Sequence, residues 1–340
     1  MASNGSSLIY EHNAAPIGRH LKRDDVTELV INQPGWVGLE TRNGWEWHEE
    51  PALDNAALMT LAKLIAGLTK QDINAEYPVV SSVLPGGERA QVVVPPAVEQ
   101  GFVSITIRKA SGVSMNIDDF ERAGLFSEVR AHGLHEEVDS RLQDYRQAGE
   151  WKAFFRLAVE ARKNILISGA TGSGKTSFSK GLIKLIPEDE RILTIEDTRE
   201  LVVPQRNHVH MMYAKDGKSL QKAGAKELLE SALRMRPDRV LLQELRDGTA
   251  FFYLRNVNSG HPGSITTVHA NTAEGALEQL TLLVKESDGG NDLDRHDIRA
   301  MLRSLVDIVV QMHRLPPVDG RPARYRMTEV WFDPAGKPRD

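Results

Sequence analysis

The run Gly169-Ala170-Thr171-Gly172-Ser173-Gly174-Lys175-Thr176 most constrains what this chain can fold into. It fits G-x-x-x-x-G-K-[ST] at every fixed position, and it needs a strand before it and a helix after it. Both are present. Residues 165–168 (ILIS) read as a short buried strand, and residues 177–185 as a helix beginning at Ser177. Glycines let such a loop wrap so that successive backbone N–H groups face phosphate oxygens. The helix behind it offers unpaired N–H groups and a partial positive charge. Lys175 is placed to reach the outer phosphates, and the Thr176 hydroxyl to complete a Mg²⁺ shell.

The rest of the C-terminal half supplies the sheet that such a loop requires. Strands are expected over 191–195, 208–212, 239–243, 264–268, 306–312 and 325–332. Helices are expected over 220–235, 249–258 and 272–286. Trp151, Phe154, Phe155, Ala158 and Val159 mark one face of a helix ahead of the loop. Alternation of this kind implies a largely parallel sheet covered by helices, with ligands beyond the carboxyl ends of its strands.

A chain of 340 residues is too long for one ordinary core. Residues 20–110 read as a separate α+β domain with a mainly antiparallel sheet. Strands over 26–31, 36–40, 89–94 and 102–108 are separated by turns at Asn32-Gln33-Pro34-Gly35, Asn43-Gly44 and Pro85-Gly86-Gly87. Leu58, Leu61, Leu64, Ile65 and Leu68 mark a helix face. Trp36, Trp45 and Trp47 are expected to pack on the sheet. Residues 1–19 read as a flexible tail, 111–149 as a linker with short helices, 150–333 as the nucleotide-binding domain and 334–340 as a second tail.

Phosphate chemistry also needs an acid at a neighbouring strand end. Glu244 follows the apolar strand 239–243, and Glu196-Asp197 end the strand 191–195. Either glutamate suits Mg²⁺ binding or water activation, while Asp197 equally suits a turn cap. His269 ends the strand 264–268, where it can sense a terminal phosphate. Arg234 and Arg236 can neutralise phosphate charge in the same or a neighbouring subunit, or simply suit a helix end. Arg89 and Arg108 lie on strands near turns, where a solvated sheet-edge charge is the favoured explanation. His208 and His210 share one strand face, but no third metal ligand is evident.

Composition sets limits. The net charge is −5, which provides no global basic field for nucleic acid. Cysteine is absent, so disulfides and thiolate metal sites are excluded. No run approaches a membrane span, and the N-terminus lacks an apolar signal core. A cytoplasmic protein, or one held at a membrane by partners, is expected.

Four runs in order, GATGSGKT (169–176), TIEDTREL (194–201), LRMRPDRVLLQELRDG (233–248) and SGHPGSITTVHAN (259–271), resemble the secretion ATPases. These are RecA-like motors of type IV secretion, type II secretion and type IV pilus systems. DDVTELVINQPG (24–35), LPGGER (84–89), Pro95-Pro96 and Ile107-Arg108-Lys109 resemble the traffic ATPase of type IV secretion in particular. The resemblance implies ATP and Mg²⁺ as cofactors and a homo-hexamer at the inner membrane. Its partners would be secretion-system components, including other ATPases, with no specific nucleic-acid binding. It also implies nucleotide between the two domains, with Arg89 and Arg108 reaching the phosphates, Glu196 and Glu244 as catalytic carboxylates and His269 as a companion. Gln243 and Asp247 depart from the usual residues around the second acid. The long linker suggests an N-terminal domain seated on a neighbouring subunit. A type II secretion or pilus motor, a nucleic-acid motor and a nucleotide-gated scaffold are the alternatives.

Overall fold

The computed structural model describes residues 3–110, 115–127, 136–214, 220–246, 248–257, 260–287, 289–318 and 322–334. The N-terminal part is built on six strands: β1 (Glu28–Ile31), β2 (Trp36–Thr41), β3 (Gly44–Glu49), β4 (Val79–Val83), β5 (Arg89–Val93) and β6 (Ser104–Arg108). They pair in the order β3-β2-β1-β6-β5-β4, and every pairing is antiparallel. One face is covered by a helix, α3 (Asn55–Leu68), started by the Asp54 carboxylate accepting from Ala57 N at 2.8 Å. Leu58, Leu61 and Ile65 are wholly buried against Leu29, Ile31, Val92 and Ile105.

The flexible tail expected over residues 1–19 is corrected. From Ser3 the chain forms α1 (Ser3–Asn13) and α2 (Ala15–Leu21), and Tyr10, Ala14 and Ile17 enter the N-terminal core. Those three positions are spaced i, i+4, i+7, one helix face. The Ser, Asn and Gly around them hid it. Burial pushes the Tyr10 phenol up to about 12, with Glu88 adding to the shift.

The C-terminal part carries β7 (Ile165–Gly169), β8 (Ile192–Glu196), β9 (His208–Met212), β10 (Arg239–Leu242), β11 (Ile265–Val268), β12 (Ile308–Leu315) and β13 (Arg324–Phe332). β10-β8-β9 form one ladder and β11-β7-β12-β13 another. A single parallel bridge, Glu244 to Thr267, joins them. All pairings are parallel except that of the edge strand β13. Six strands therefore point one way. The expected α/β fold, with a mainly parallel sheet beside an antiparallel N-terminal one, is what the chain adopts.

Helices cover this sheet: α6 (Trp151–Glu160), α7 (Lys175–Ile183), α8 (Ala225–Ala232), α9 (Thr249–Val257), α10 (Ala273–Lys285) and α11 (Arg295–Leu305). α8 is shorter than the expected 220–235 because Gly224 starts it late. α11 was not expected, although Ile298, Met301, Leu302 and Leu305 give the right spacing. Of the expected linker, α4 (Ile117–Arg122) buries nothing, whereas α5 (Glu136–Ala148) inserts Leu142 into the core with Phe154 and Val159. Lys163 holds Asp139 at 2.6 Å, and Arg146 donates to Phe332 O at 2.7 Å. The packed C-terminal unit thus begins at α5 rather than at residue 150.

The two parts meet at the amino ends of the parallel strands. Arg191, just before β8, is wholly buried. Its guanidinium donates to Met235 O at 2.9 Å, Asn32 Oδ1 at 2.9 Å, Asn207 Oδ1 at 2.5 Å and Thr106 Oγ1 at 3.2 Å. Removal from water lowers its pKa to about 9. Trp47 packs on the sheet as expected, its ring covering Gly38 beside Val30. Arg206 lies over the Trp36 and Trp47 rings, with centroids 4.4 and 4.7 Å away, and Trp45 lies near Arg236. The seam continues along β9, where Met212 N donates to Ala97 O at 2.9 Å.

Glu28 lies in this seam, and burial pushes its carboxyl up to about 7 against the opposing pull of Arg108. The folded chain therefore takes up this proton at higher pH than the unfolded chain. The associated stability is full below about 4.5 and is lost as pH rises through about 7. Glu28→Gln is expected to leave the denaturation midpoint unchanged near pH 4.5 and to raise it above pH 7. Urea unfolding across that range measures the difference.

Candidate active site

β7 is buried along its whole length and lies between β11 and β12. It ends at Gly169, whose φ is +154°. A Cβ there would stand 2.5 Å from both Met312 O and Ser173 Oγ, so the sharp exit from the strand has no room for a side chain. The loop then runs through exposed Thr171 and Gly172 to Gly174, the left-handed N-cap of α7. No side chain caps that helix. Its first N–H groups stay free to meet an anion, with Thr176 and Ser177 in the opening turn.

Lys175 is buried and folds back on its own loop, donating to Gly169 O at 2.7 Å and Ala170 O at 3.0 Å. Its Nζ also lies 3.3 Å from His269 Nδ1. Burial lowers the Lys175 pKa, Glu244 raises it and Arg246 lowers it again, for a net fall. An ammonium donates, so His269 Nδ1 accepts and its Nε2 carries the hydrogen. That Nε2 lies 2.7 Å from Glu244 Oε1, close but off the hydrogen-bond direction.

Glu244 is held in place by the backbone. Gln243 N donates to Ile195 O at 3.2 Å, Thr267 Oγ1 donates to Gln243 O at 3.0 Å, and Leu245 N donates to Thr267 O at 2.8 Å. Gln243 thus keeps the ladder with main-chain atoms. Asp247 lies outside the described residues. Arg246, which sequence reasoning missed, binds Glu244 Oε2 and reaches Asp197 Oδ2 at 3.2 Å. Its spacing two residues after the acid was the available signal.

Glu196 has a different setting. Its carboxylate is fully buried and accepts from Thr194 Oγ1 at 2.7 Å and from the backbone N–H groups of Glu200 and Leu201, both at 2.8 Å. His210 Nδ1 is 3.2 Å away. Burial alone would raise its pKa, but the bonds from His210, Leu201, Glu200 and Thr194 outweigh burial and lower it. Every named partner belongs to β8, β9 or the following turn. Its neighbour Asp197, not Glu196, joins the Lys175–His269–Glu244–Arg246 group.

The four arginines expected near phosphate are elsewhere in their own chain. Arg236 pairs with Glu40 and, at 2.7 Å, with Asp238, while Arg234 donates to its own helix at Glu230 O. Both precede β10, at the amino end of the sheet. Arg108 lies opposite Arg89 in the β5–β6 register, 2.9 Å from Glu28. Arg234 and Arg236 thus lie at the opposite end of β10 from Glu244, and a strand of that length spans roughly 13 Å. His208 and His210 gain no third ligand, and no metal cluster occurs among the described residues.

Three buried oxygens beside this group have no hydrogen-bond partner: Ser168 Oγ, Ser173 Oγ and Glu244 Oε1. Two hydroxyls, uncapped N–H groups, a lysine and a carboxylate oxygen form a donor and acceptor set suited to a polyphosphate with a divalent cation.

Residues 63–321 match the family model described as Type II/IV secretion system protein. The chain is 52% identical over 331 residues to the type IV secretion system protein VirB11 of Bartonella henselae, covering 94% of this chain and 91% of that one. It is 42% identical to the type IV secretion system protein PtlH of Bordetella pertussis, covering 92% and 91%. Its fold superposes on the crystal structure of the VirB11 ATPase of the Brucella suis type IV secretion system, in complex with sulphate, with a TM-score of 0.91. The identity is 38%, with 99% and 98% coverage.

Gly169→Ala is expected to cost roughly 2–4 kcal/mol, combining a disfavoured backbone region with a clash against main chain. Gly172→Ala, whose added methyl would meet nothing within 4 Å, is expected to cost only about 1 kcal/mol. Paired urea titrations of the two variants check the order.

Proposed function

The chain belongs to the type II/IV secretion system protein family, and from that membership we propose that it hydrolyses ATP with Mg²⁺ to drive a type IV secretion system. The relatives at 52% and 42% identity are both type IV secretion proteins, which favours this branch over a type II or pilus motor. The observation that carries the reading is the convergence of Lys175, His269 and Glu244 at neighbouring strand ends, with Glu244 Oε1 left unpartnered.

In this reading the loop N–H groups and Lys175 bind the phosphates. Lys175 exchanges carbonyl partners for phosphate oxygens, whose negative charge opposes the effect of burial that lowers its pKa. Thr176 and Glu244 would hold the cation, which would supply charge neutralisation for the transferring phosphoryl group. Glu244 orients the attacking water and takes its proton. Arg246 fixes the carboxylate by its other oxygen, and His269 passes the state of Lys175 to Glu244. Glu196 is a positioning residue that fixes the turn presenting Asp197.

Arg108 is engaged by Glu28 in its own chain, so in this reading a neighbouring subunit's Arg89 and Arg108 complete the charge. This calls for a ring, and a hexamer fits the family. Closure and release of the N-terminal domain would transmit work to membrane-bound secretion partners, with the motor on the cytoplasmic side.

Lys175→Ala is expected to abolish nucleotide binding. Glu244→Gln is expected to bind ATP and to turn it over at least ~100-fold more slowly. Phosphate release and fluorescent-nucleotide titration measure the two effects, and full turnover in either variant contradicts the site. Separately, light scattering with Mg²⁺-ATP is expected to give a mass near six chains. A monomer under those conditions removes the shared-site reading.

A further inference from the structure

At the domain seam, away from the loop of Lys175, lies a cavity of ≈ 170 Å³ bounded by Asn32, Trp47, Glu99, Phe102, Ser104, Arg206, His208 and His210 among others. We propose that it is a binding site for a small oxyanion of the phosphate class, gripped by Arg206, Ser104 and the Nε2 atoms of His208 and His210.

Two wall residues are more than nine-tenths buried and carry a polar atom with no partner. These are Ser104 Oγ, on a residue 1% exposed, and His210 Nε2, on a residue 6% exposed. Burying such atoms is costly unless something in the cavity meets them. The tautomers follow from the neighbours. Gln205 O can only accept, so His208 Nδ1, 2.6 Å from it, carries the hydrogen and leaves Nε2 as a lone pair. Thr194 donates to Glu196, so His210 Nδ1, 2.7 Å from Thr194 Oγ1, is likewise the protonated nitrogen. The two rings are in edge contact, their centroids 4.9 Å apart.

Arg206 supplies the charge. Its guanidinium lies over the Trp36 and Trp47 rings, while its N–H edges have no hydrogen bond or ion pair among the described residues. A guanidinium lying over two rings with its fork unpaired suits bidentate contact with an oxyanion. The acid on the wall, Glu99, is offset by Arg199 at 3.3 Å. Burial lowers the His208 pKa, and the bond to Gln205 O opposes it. With Glu99 paired to Arg199, the guanidinium of Arg206 is the charge the wall offers an anion. Its volume would take roughly five waters, enough for a tetrahedral anion with companions. Phosphate offers acceptor oxygens to Arg206 and Ser104 and a P–OH to a histidine lone pair. Sulfate offers only the former.

The test uses the full chain carrying Lys175→Ala, so that the motor loop's cation does not contribute, titrated calorimetrically with inorganic phosphate and then with sulfate. One phosphate per chain is expected, bound more tightly than sulfate. Adding Arg206→Gln is expected to weaken it by about tenfold or more, and adding Ser104→Ala by about threefold, matching loss of a charged and a neutral hydrogen bond. Ser104→Ala removes one buried oxygen without enlarging the side chain, so it serves if Arg206→Gln unsettles the tryptophan contacts. No phosphate binding, or binding indifferent to both added substitutions, overturns the site.

Discussion

The opening turn of α7 leaves backbone N–H groups with no acceptor, and the surrounding structure preserves that condition. No side chain caps Gly174. Any residue but glycine at position 169 would collide with main chain from β12. Lys175 spends its hydrogen bonds on loop carbonyls, a holding pattern that an incoming anion can outcompete because burial already works against the charge. A concentration of unpaired donors is unfavourable unless rigid elements enforce it. Here β7, buried throughout and paired on both sides, does so. The site is thus a stored electrostatic imbalance, compensated by the packing beneath it.

The same strands join two ends of the motor with different tasks. β8 begins beside Arg191, which binds Asn32 and Thr106 of the N-terminal part, and ends at Glu196. β10 begins beside Arg236 and Asp238, tied to Glu40, and ends beside Glu244. Short, fully paired strands move as units. The seam and the acids are thus the two ends of the same short strands. The lone Glu244–Thr267 bridge between the two ladders is the narrowest joint in the sheet, and it carries the Glu244 carboxylate.

Much of this was legible in the sequence. The phosphate loop, the order of strands and helices, and the grouping of Lys175, Glu244 and His269 follow from local patterns with few competing solutions. What escaped depended on partners distant in sequence. Tyr10, Ala14 and Ile17 make a helix face only because a sheet awaits them, and polar neighbours obscure the spacing. Leu142 is a single deeply buried residue on a mostly polar helix, which reads as a linker until α6 is placed beside it. Arg236 has the composition of a phosphate ligand, yet Glu40, nearly two hundred residues earlier, claims it. Trp47 packs on the sheet as its pattern suggests, but nothing local shows that it and Trp36 also carry Arg206.

The two glutamates at strand ends separate on the same principle. In sequence Glu196 and Glu244 are alike, each closing an apolar run. What distinguishes them is the turn that follows. After Glu196 the chain folds back so that the N–H groups of Glu200 and Leu201 need an acceptor, and the carboxylate supplies it. With Thr194 and His210 on its other oxygen, it has little lone-pair capacity left for a cation or a water. After Glu244 the chain continues directly into pairing with β11, so its backbone needs are met by Thr267 and one carboxylate oxygen stays unclaimed. A carboxylate is available for chemistry only where neighbouring backbone does not require it for structure.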